Sequence, residues 1–303
     1  MLKGFRNGNT RGETTYFPEI DNHFRWMLGE VTLMGGIGNY GKSEMALQMM
    51  LIKSVKEGKK WGVFTPEQYP PNYFYNGLIH TYIGKSTEKH HHNQMSEQEY
   101  IKGMEFINKH FFFIYPKDDS PTPDYINERF LELIVKHKID GCVIDPFNQL
   151  DNDFEKSGRD DIYISKFLTK EKRFALENNV YFWIIAHPKT LHKEGKKDYP
   201  CPDVYDLAGG AMWNNKCDNI LAFHRPNYQT NKEDTISEFR SQKIKKQQVN
   251  GRPGTVVLDF NINERRFYCN GNTPFETTAE QPTKSISYIQ SSFYEPKEIE
   301  APF

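Results

Sequence analysis

Short apolar runs recur along this chain in alternation with longer amphipathic stretches. Residues 30–34, 60–65, 110–115, 139–144 and 180–186 are each rich in β-branched or aromatic side chains with little internal polarity, the pattern of strands covered on both faces. Between them, 42–57, 96–109 and 160–178 carry helical periodicity. A further helix opens at Thr122-Pro123, a capping residue followed by proline in the first turn, with Ile126, Phe130, Leu133 and Ile134 on one face. A β-α-β order implies parallel pairing with right-handed crossovers. After residue 218 the texture changes to strands without long helices (218–224, 236–245, 254–262), which predicts an antiparallel extension. The expected fold is α/β: a mostly parallel central sheet flanked by helices, extended by antiparallel strands on its C-terminal side.

Residues 1–29 read as a leader or linker, glycine-rich at first and then aromatic through Phe24 and Trp26. Residues 30–272 read as one large domain, and 273–303, rich in Ser, Thr, Pro and Glu, as a flexible C-terminal tail. His90, His91 and His92 fall in a polar loop over 84–95; adjacent loop side chains rarely converge on a metal, and no second ligand-spaced cluster accompanies them.

Composition excludes several classes. Hydrophobic residues are 37% of the 303 and charged residues 26%, a globular balance, and no apolar stretch is long enough to span a bilayer. The amino terminus has no secretory apolar core, so a cytoplasmic setting is expected. Cys142, Cys201, Cys217 and Cys269 have no paired spacing and suggest neither zinc nor a disulfide framework. With a net charge of -1, nucleic-acid binding has to come from locally placed lysines.

The strongest chemical signal is Gly36-Ile37-Gly38-Asn39-Tyr40-Gly41-Lys42-Ser43, which fits G-x-x-x-x-G-K-[ST] between a buried strand and a helix. In such a loop the backbone N–H groups of Gly36, Gly38, Asn39, Tyr40 and Gly41 wrap phosphates and the helix amino terminus adds a positive dipole end. Lys42 then reaches the β and γ phosphates and the Ser43 hydroxyl ligates Mg²⁺. The same residues also spell the dinucleotide fingerprint G-x-G-x-x-G. That reading leaves Lys42-Ser43 unexplained and places Glu67 too far along for the ribose-binding acid, so ATP with Mg²⁺ is the expected ligand.

The run Ile139 to Asp145 is an apolar strand ending in a carboxylate, the form in which Asp145 joins Ser43 in placing Mg²⁺, although such an aspartate can also simply cap a turn. Glu67, just past the 60–65 strand, lies at the sheet edge where open α/β folds bind ligands, and is a candidate general base for an attacking water.

Together these segments resemble the DnaB and Twinkle family of replicative helicases and the motor half of phage primase-helicases, over roughly residues 12–268. The resemblance rests on Tyr16-Phe17-Pro18-Glu19-Ile20-Asp21 with Leu28-Gly29-Glu30-Val31-Thr32-Leu33; on Phe64-Thr65-Pro66-Glu67; on Ile144-Asp145-Pro146-Phe147-Asn148; on Ile184-Ile185-Ala186-His187-Pro188-Lys189; and on Asp206-Leu207-Ala208-Gly209-Gly210-Ala211 through Cys217-Asp218-Asn219. It implies a RecA-like ATPase motor over 30–272, with Glu67 as catalytic glutamate, His187 as γ-phosphate sensor, and Gly209 and Gly210 in a DNA-facing loop. It also implies a ring, hexameric in that family, acting on single-stranded DNA in a bacterial or phage-infected cell, with primase or other replication proteins as partners.

The segment 188–205 after His187 carries Lys189, His192, Lys193, Lys196 and Lys197, a local positive excess suited to tracking a nucleic-acid backbone, or simply a solvated loop. The resemblance departs in two places. Gln247 and Gln248 stand where the family carries a trans-acting arginine after a lysine, which leaves Lys245, Lys246, Arg252 or Arg225 to supply that cation. From the sequence, no primase or helical domain is expected ahead of the motor. The last residues, Glu298 to Phe303, resemble the acidic Pro-Phe ending of bacterial single-strand-binding proteins. Two rival functions remain: a RecA-like DNA-dependent ATPase (loader or recombination ATPase) without unwinding, and a nucleotide-binding ring or scaffold subunit.

Overall fold

The computed structural model describes residues 8, 10–116, 120–151, 159–189 and 198–275. Nine strands form one sheet in the order β3-β2-β4-β5-β1-β6-β7-β8-β9. They are β1 Val31–Gly35, β2 Trp61–Phe64, β3 Phe111–Ile114, β4 Gly141–Ile144, β5 Tyr181–Ala186, β6 Asn219–His224, β7 Ile236–Ile244, β8 Gly254–Asn261 and β9 Arg266–Tyr268. Strands β1 to β6 pair in parallel and β6 through β9 antiparallel, as the change of texture near residue 218 predicts.

The buried strands are apolar in consecutive residues because each face has its own core. In β1, Val31 and Leu33 join one cluster and Met34 the other; in β5, Phe182 and Ile184 face one way and Trp183 and Ile185 the other. One face is covered by the helices α2 Lys42–Glu57, α3 Pro71–Ile83 and α4 Glu97–His110. The opposite face is covered by α5 Pro123–His137, α6 Asp160–Asn178 and α7 Gly210–Lys216. The described residues also form two four-residue helices, α1 Pro18–Asp21 and α8 Gln247–Asn250. Helix α4 begins with a capping box in which Ser96 and Glu99 satisfy each other's backbone N–H. Helix α5 begins at the predicted Thr122 cap, whose side chain accepts from Tyr125 N–H. Among the described residues no helix is long and apolar enough to cross a membrane.

The 1–29 stretch is, from Gly12 onward, built into the sheet domain rather than leading up to it. Glu13 and Trp26 pair through both backbone hydrogen bonds, and Phe17, Ile20, Phe24 and Trp26 are buried. Trp26 stacks on Trp183 at 4.8 Å between ring centroids and lies 5.4 Å from both Trp61 and Tyr181. Large aromatics of this kind contribute about 3–5 kcal/mol each when truncation is the measure, so the aromatic run closes the core. The fully buried Lys53 of α2 fastens the same segment through Glu13, and its i+4 partner Glu57 accepts from the Tyr16 hydroxyl at 2.9 Å. At the other end, Phe275 is buried under the Arg266 guanidinium; residues 276–303, including the acidic Pro-Phe ending, lie outside the described residues.

Between α5 and α6, Glu171 is completely buried and accepts a hydrogen bond from Asn127 Nδ2 at 2.9 Å. Burial pushes its carboxyl up to about 8, against the pull of that hydrogen bond. A carboxyl raised in the folded state binds its proton more tightly there than in the unfolded chain. Its effect on stability is therefore most favourable below the ordinary value of 4.5 and is lost as pH rises toward about 8. Glu171→Gln should flatten that part of the curve, gaining stability relative to wild type above about pH 8 on the order of 1–3 kcal/mol. Denaturant melts from about pH 5 to 9 check it; parallel curves for the two proteins would contradict the assignment.

Candidate nucleotide site

Parallel strands end on the same edge, and the chemistry collects there. Beyond β1 the 36–43 loop turns into α2, and its glycines at 36 and 41 have steric causes. A Cβ on Gly36 would lie 2.7 Å from the Phe223 carbonyl oxygen, and Gly41 caps α2 with a left-handed φ of +90°. Gly38 has open space around it, so nothing in the protein itself demands glycine there. Asn39 also takes a left-handed backbone, and Tyr40 is buried against His224 and Tyr228, its hydroxyl accepting from Gln229 Nε2 at 3.1 Å.

Five predicted side chains, from the ends of four strands, meet in this place. Lys42 is 4% exposed and its Nζ lies 3.0 Å from His187 Nδ1, just past β5. Ser43 Oγ donates to Asp145 Oδ1 at 3.1 Å, just past β4. Glu67, in a single 3-10 turn after β2, places Oε1 3.9 Å from His187 Nε2. Asn148 Oδ1 accepts from the His187 backbone N–H at 3.1 Å and fixes the start of the following segment. Sheet order makes the meeting possible: β4, β5 and β1 are consecutive neighbours, so Asp145, His187 and Lys42 stand side by side.

Burial sets the electrostatics. Desolvation pushes the Asp145 carboxyl up to about 7, against the Ser43 hydrogen bond and the Lys42 charge. It pulls the Lys42 ammonium down, against Asp145 and Glu67. His187 is lowered by burial and then by Lys42, with Glu67 opposing. A neutral His187 accepting from Lys42 at Nδ1 carries its proton on Nε2, toward Glu67, a tautomer inferred from the hydrogen-bond network. A buried carboxylate beside a hydroxyl is a hard-oxygen donor set short of a cation, and a buried ammonium among loop amides is a donor set short of an anion. Mg²⁺ with a triphosphate fits both.

The loop opens into a cavity of about 870 Å³. Its outer wall holds residues that sequence reasoning passed over: Tyr73 of α3, Phe260 and Ile262 at the end of β8, and Arg265. They come from the antiparallel extension and α3 and carry no motif, so only the fold reveals them. Arg225 also lines the cavity, its guanidinium 3.9 Å from the Tyr228 ring centroid and bonded to the Asp234 carbonyl, which makes it a group of this subunit's own site.

The other expected residues lie elsewhere. Lys189 Nζ pairs with Asp160 Oδ2 at 3.1 Å, while Lys193, Lys196 and Lys197 lie outside the described residues. Gly209 and Gly210 have packing causes. A Cβ on Gly209 would meet Ile164 at 2.6 Å, and one on Gly210 would meet Tyr205 Cα at 2.5 Å. Gly210 is buried and Gly209 half-buried. Lys245 and Lys246 lie at the opposite, amino end of the sheet and are already paired, Lys245 with Asp218 at 3.4 Å and Lys246 with Glu30 at 2.9 Å. Arg252 is exposed, and its side chain has no hydrogen-bond or ion-pair partner among the described residues.

Comparison with known proteins agrees with this fold. The family model described as the DnaB-like helicase C terminal domain matches residues 12–269. The chloroplastic/mitochondrial Twinkle homolog protein of Arabidopsis thaliana is 32% identical over 230 residues, which is 72% of this chain and 31% of that protein. This chain thus spans less than a third of that relative's length. Among solved structures, one described as an ATPase domain superposes with a TM-score of 0.71 at 18% identity, over 88% of this chain and 94% of that one. A DnaB-like replicative helicase, solved together with its interactions with primase, gives 0.68 at 19% identity over 88% and 66%. At such identity these two establish likeness of fold.

If Lys42 holds His187 neutral, removing its charge should raise the His187 pKa toward the ordinary imidazole value. Ring-resonance titration by NMR of wild type and Lys42→Ala checks this. An unchanged or lower midpoint in the variant would contradict the contact.

Proposed function

The chain belongs to the family of DnaB-like helicase C-terminal domains, and we propose that it is an ATP- and Mg²⁺-dependent motor that moves along single-stranded DNA and separates duplex during replication. The observation that carries the proposal is the convergence of Lys42, Ser43, Glu67, Asp145 and His187 at one sheet edge. In this reading Lys42 and the amides of the 36–43 loop hold the phosphates. Ser43 and Asp145 hold Mg²⁺, which offsets the phosphate charge. Glu67 orients or deprotonates the attacking water. His187, hydrogen-bonded to Lys42, changes partner when the γ-phosphate arrives or leaves, and the segment that follows it carries Lys189, Lys193, Lys196 and Lys197 toward the DNA backbone.

The functional unit in this proposal is a ring of identical subunits, a hexamer, with primase or another replication protein as partner, in a bacterial or phage-infected cell. Each subunit's amino-end edge faces the next subunit's site. Arg252 is the favoured trans-acting cation, because Lys245 and Lys246 would first have to leave Asp218 and Glu30. The second reading, an ATPase that responds to DNA without unwinding it, is separated from the first by experiment.

Purified protein should hydrolyse ATP several-fold faster with single-stranded DNA and should open a forked duplex, and Lys42→Ala should lower both by about 10²-fold or more. DNA-stimulated hydrolysis without strand separation would favour the second reading. Hydrolysis indifferent to DNA would remove the motor and leave a nucleotide-binding scaffold.

A further inference from the structure

The cavity continues past the phosphate loop to a wall made by the turn between β8 and β9, and Arg265 is the charged residue of that turn facing it. Arg265 holds a left-handed backbone, φ +55°, which glycine or asparagine adopts far more readily than arginine. The turn is latched to α3: His80 Nε2 lies 2.9 Å from the Asn263 carbonyl oxygen, Thr81 Oγ1 donates to the Arg265 carbonyl at 3.1 Å, and the Arg266 guanidinium donates to the carbonyls of Thr81 and Tyr82 at 2.7 Å. The Arg265 guanidinium rests on Gly77, where a Cβ would lie 3.1 to 3.3 Å from its nitrogens and central carbon. Gly77 is itself an unfavourable residue for the middle of a helix. Two locally unfavourable choices thus converge on the placement of one guanidinium.

Its partner is Glu44, Oε1 3.3 Å from Nη2, in the first turn of α2 and next in sequence to Ser43. Both side chains are more than a third exposed and both line the cavity, so the pair adds little to stability. Among the described residues Glu44 is the side chain's one bonded partner, and a guanidinium has five N–H donors. The remaining donors are available to a ligand.

We propose that Arg265 and Glu44 form the sugar-recognising end of the nucleotide site and select a ribonucleotide over its 2′-deoxy counterpart. The inference rests on the triphosphate occupying the 36–43 loop. With phosphates on the amides up to Ser43, the sugar lies beside the next residue, Glu44. A carboxylate acceptor next to a guanidinium donor offers complementary partners to two vicinal hydroxyls. A 2′-deoxy sugar forgoes one of those charge-assisted hydrogen bonds.

Steady-state kinetics with ATP, 2′-deoxy-ATP and GTP test this in wild type and Arg265→Asn. Wild type should favour ATP over 2′-deoxy-ATP by about tenfold in kcat/KM, the scale of one hydrogen bond to a charged group. Arg265→Asn should bring that ratio near one by raising KM for ATP, with kcat little changed and a melting temperature equal to or above wild type, because asparagine tolerates the left-handed backbone. A Tm loss with the ratio intact would assign Arg265 a structural role and overturn the proposal. So would a wild-type ratio near one, or a change in the ATP-to-GTP ratio instead, which would place the pair at the base. Should Arg265→Asn not fold, Arg265→Lys, which keeps the charge but not the planar fork, gives the same readout. Wild type that hydrolyses no nucleotide would count against the motor reading rather than against this assignment.

Discussion

Desolvation of opposite charges at the carboxyl end of the parallel strands is the constraint around which the rest of this structure is arranged. Lys42 and Asp145 are both buried, and burial drives each toward its neutral form. Such a pair persists only where the fold over-determines it, and the sheet does so: β1 carries one group, β4 the other, and β5 between them carries His187. The sharp turn at the 36–43 loop, enforced at Gly36 and Gly41, is what brings the Lys42 side chain back over the strand ends. A metal-bound triphosphate would satisfy both deficits in one ligand, because it is an anion carrying a cation.

The amino end of the same sheet is built on the opposite plan. Asp218 accepts from the Val31 backbone N–H and from Lys172, and Glu30 accepts from Asn219 and Asn250 through Oε2 while its Oε1 lies 2.9 Å from Lys246 Nζ, so the charges there are paired within the chain. The aromatic group around Trp26 and Trp183 packs nearby and ties residues 12–29 to the sheet. One edge is stable without a ligand and the other is poised for one, which is how a rigid scaffold can carry a reactive site.

Much of this was legible in the sequence because it rests on short-range signals. Buried parallel strands are apolar in unbroken runs, so β2, β4 and β5 fall where those runs lie, and Thr122-Pro123 marks the start of α5. Lys42 and Ser43 followed from the loop motif and Asp145 and Glu67 from carboxylates at strand ends, whereas His187 followed only from the family resemblance. Helix α3 escaped notice because 71–83 begins Pro-Asn-Tyr-Phe-Tyr, contains Gly77 and has apolar residues on most sides, leaving no clean amphipathic face. With α3 unseen, the outer cavity wall of Tyr73, Phe260 and Arg265 was invisible too. The pairing of Lys245 and Lys246 with acids distant in sequence depends on tertiary register, which no local pattern encodes. The burial of Trp26 is a case of an aromatic run reading as a leader until its partners on β2 and β5 are placed.

A structure of the protein with Mg²⁺ and a non-hydrolysable ATP analogue tests the central claim most directly. The account predicts the terminal phosphate within hydrogen-bond reach of Lys42 Nζ, the metal on Ser43 Oγ with Asp145 behind it, and Glu67 and His187 facing the terminal phosphorus. A triphosphate bound away from the 36–43 loop, or one there with Asp145 turned from the metal and Lys42 still bonded only to His187, would contradict it.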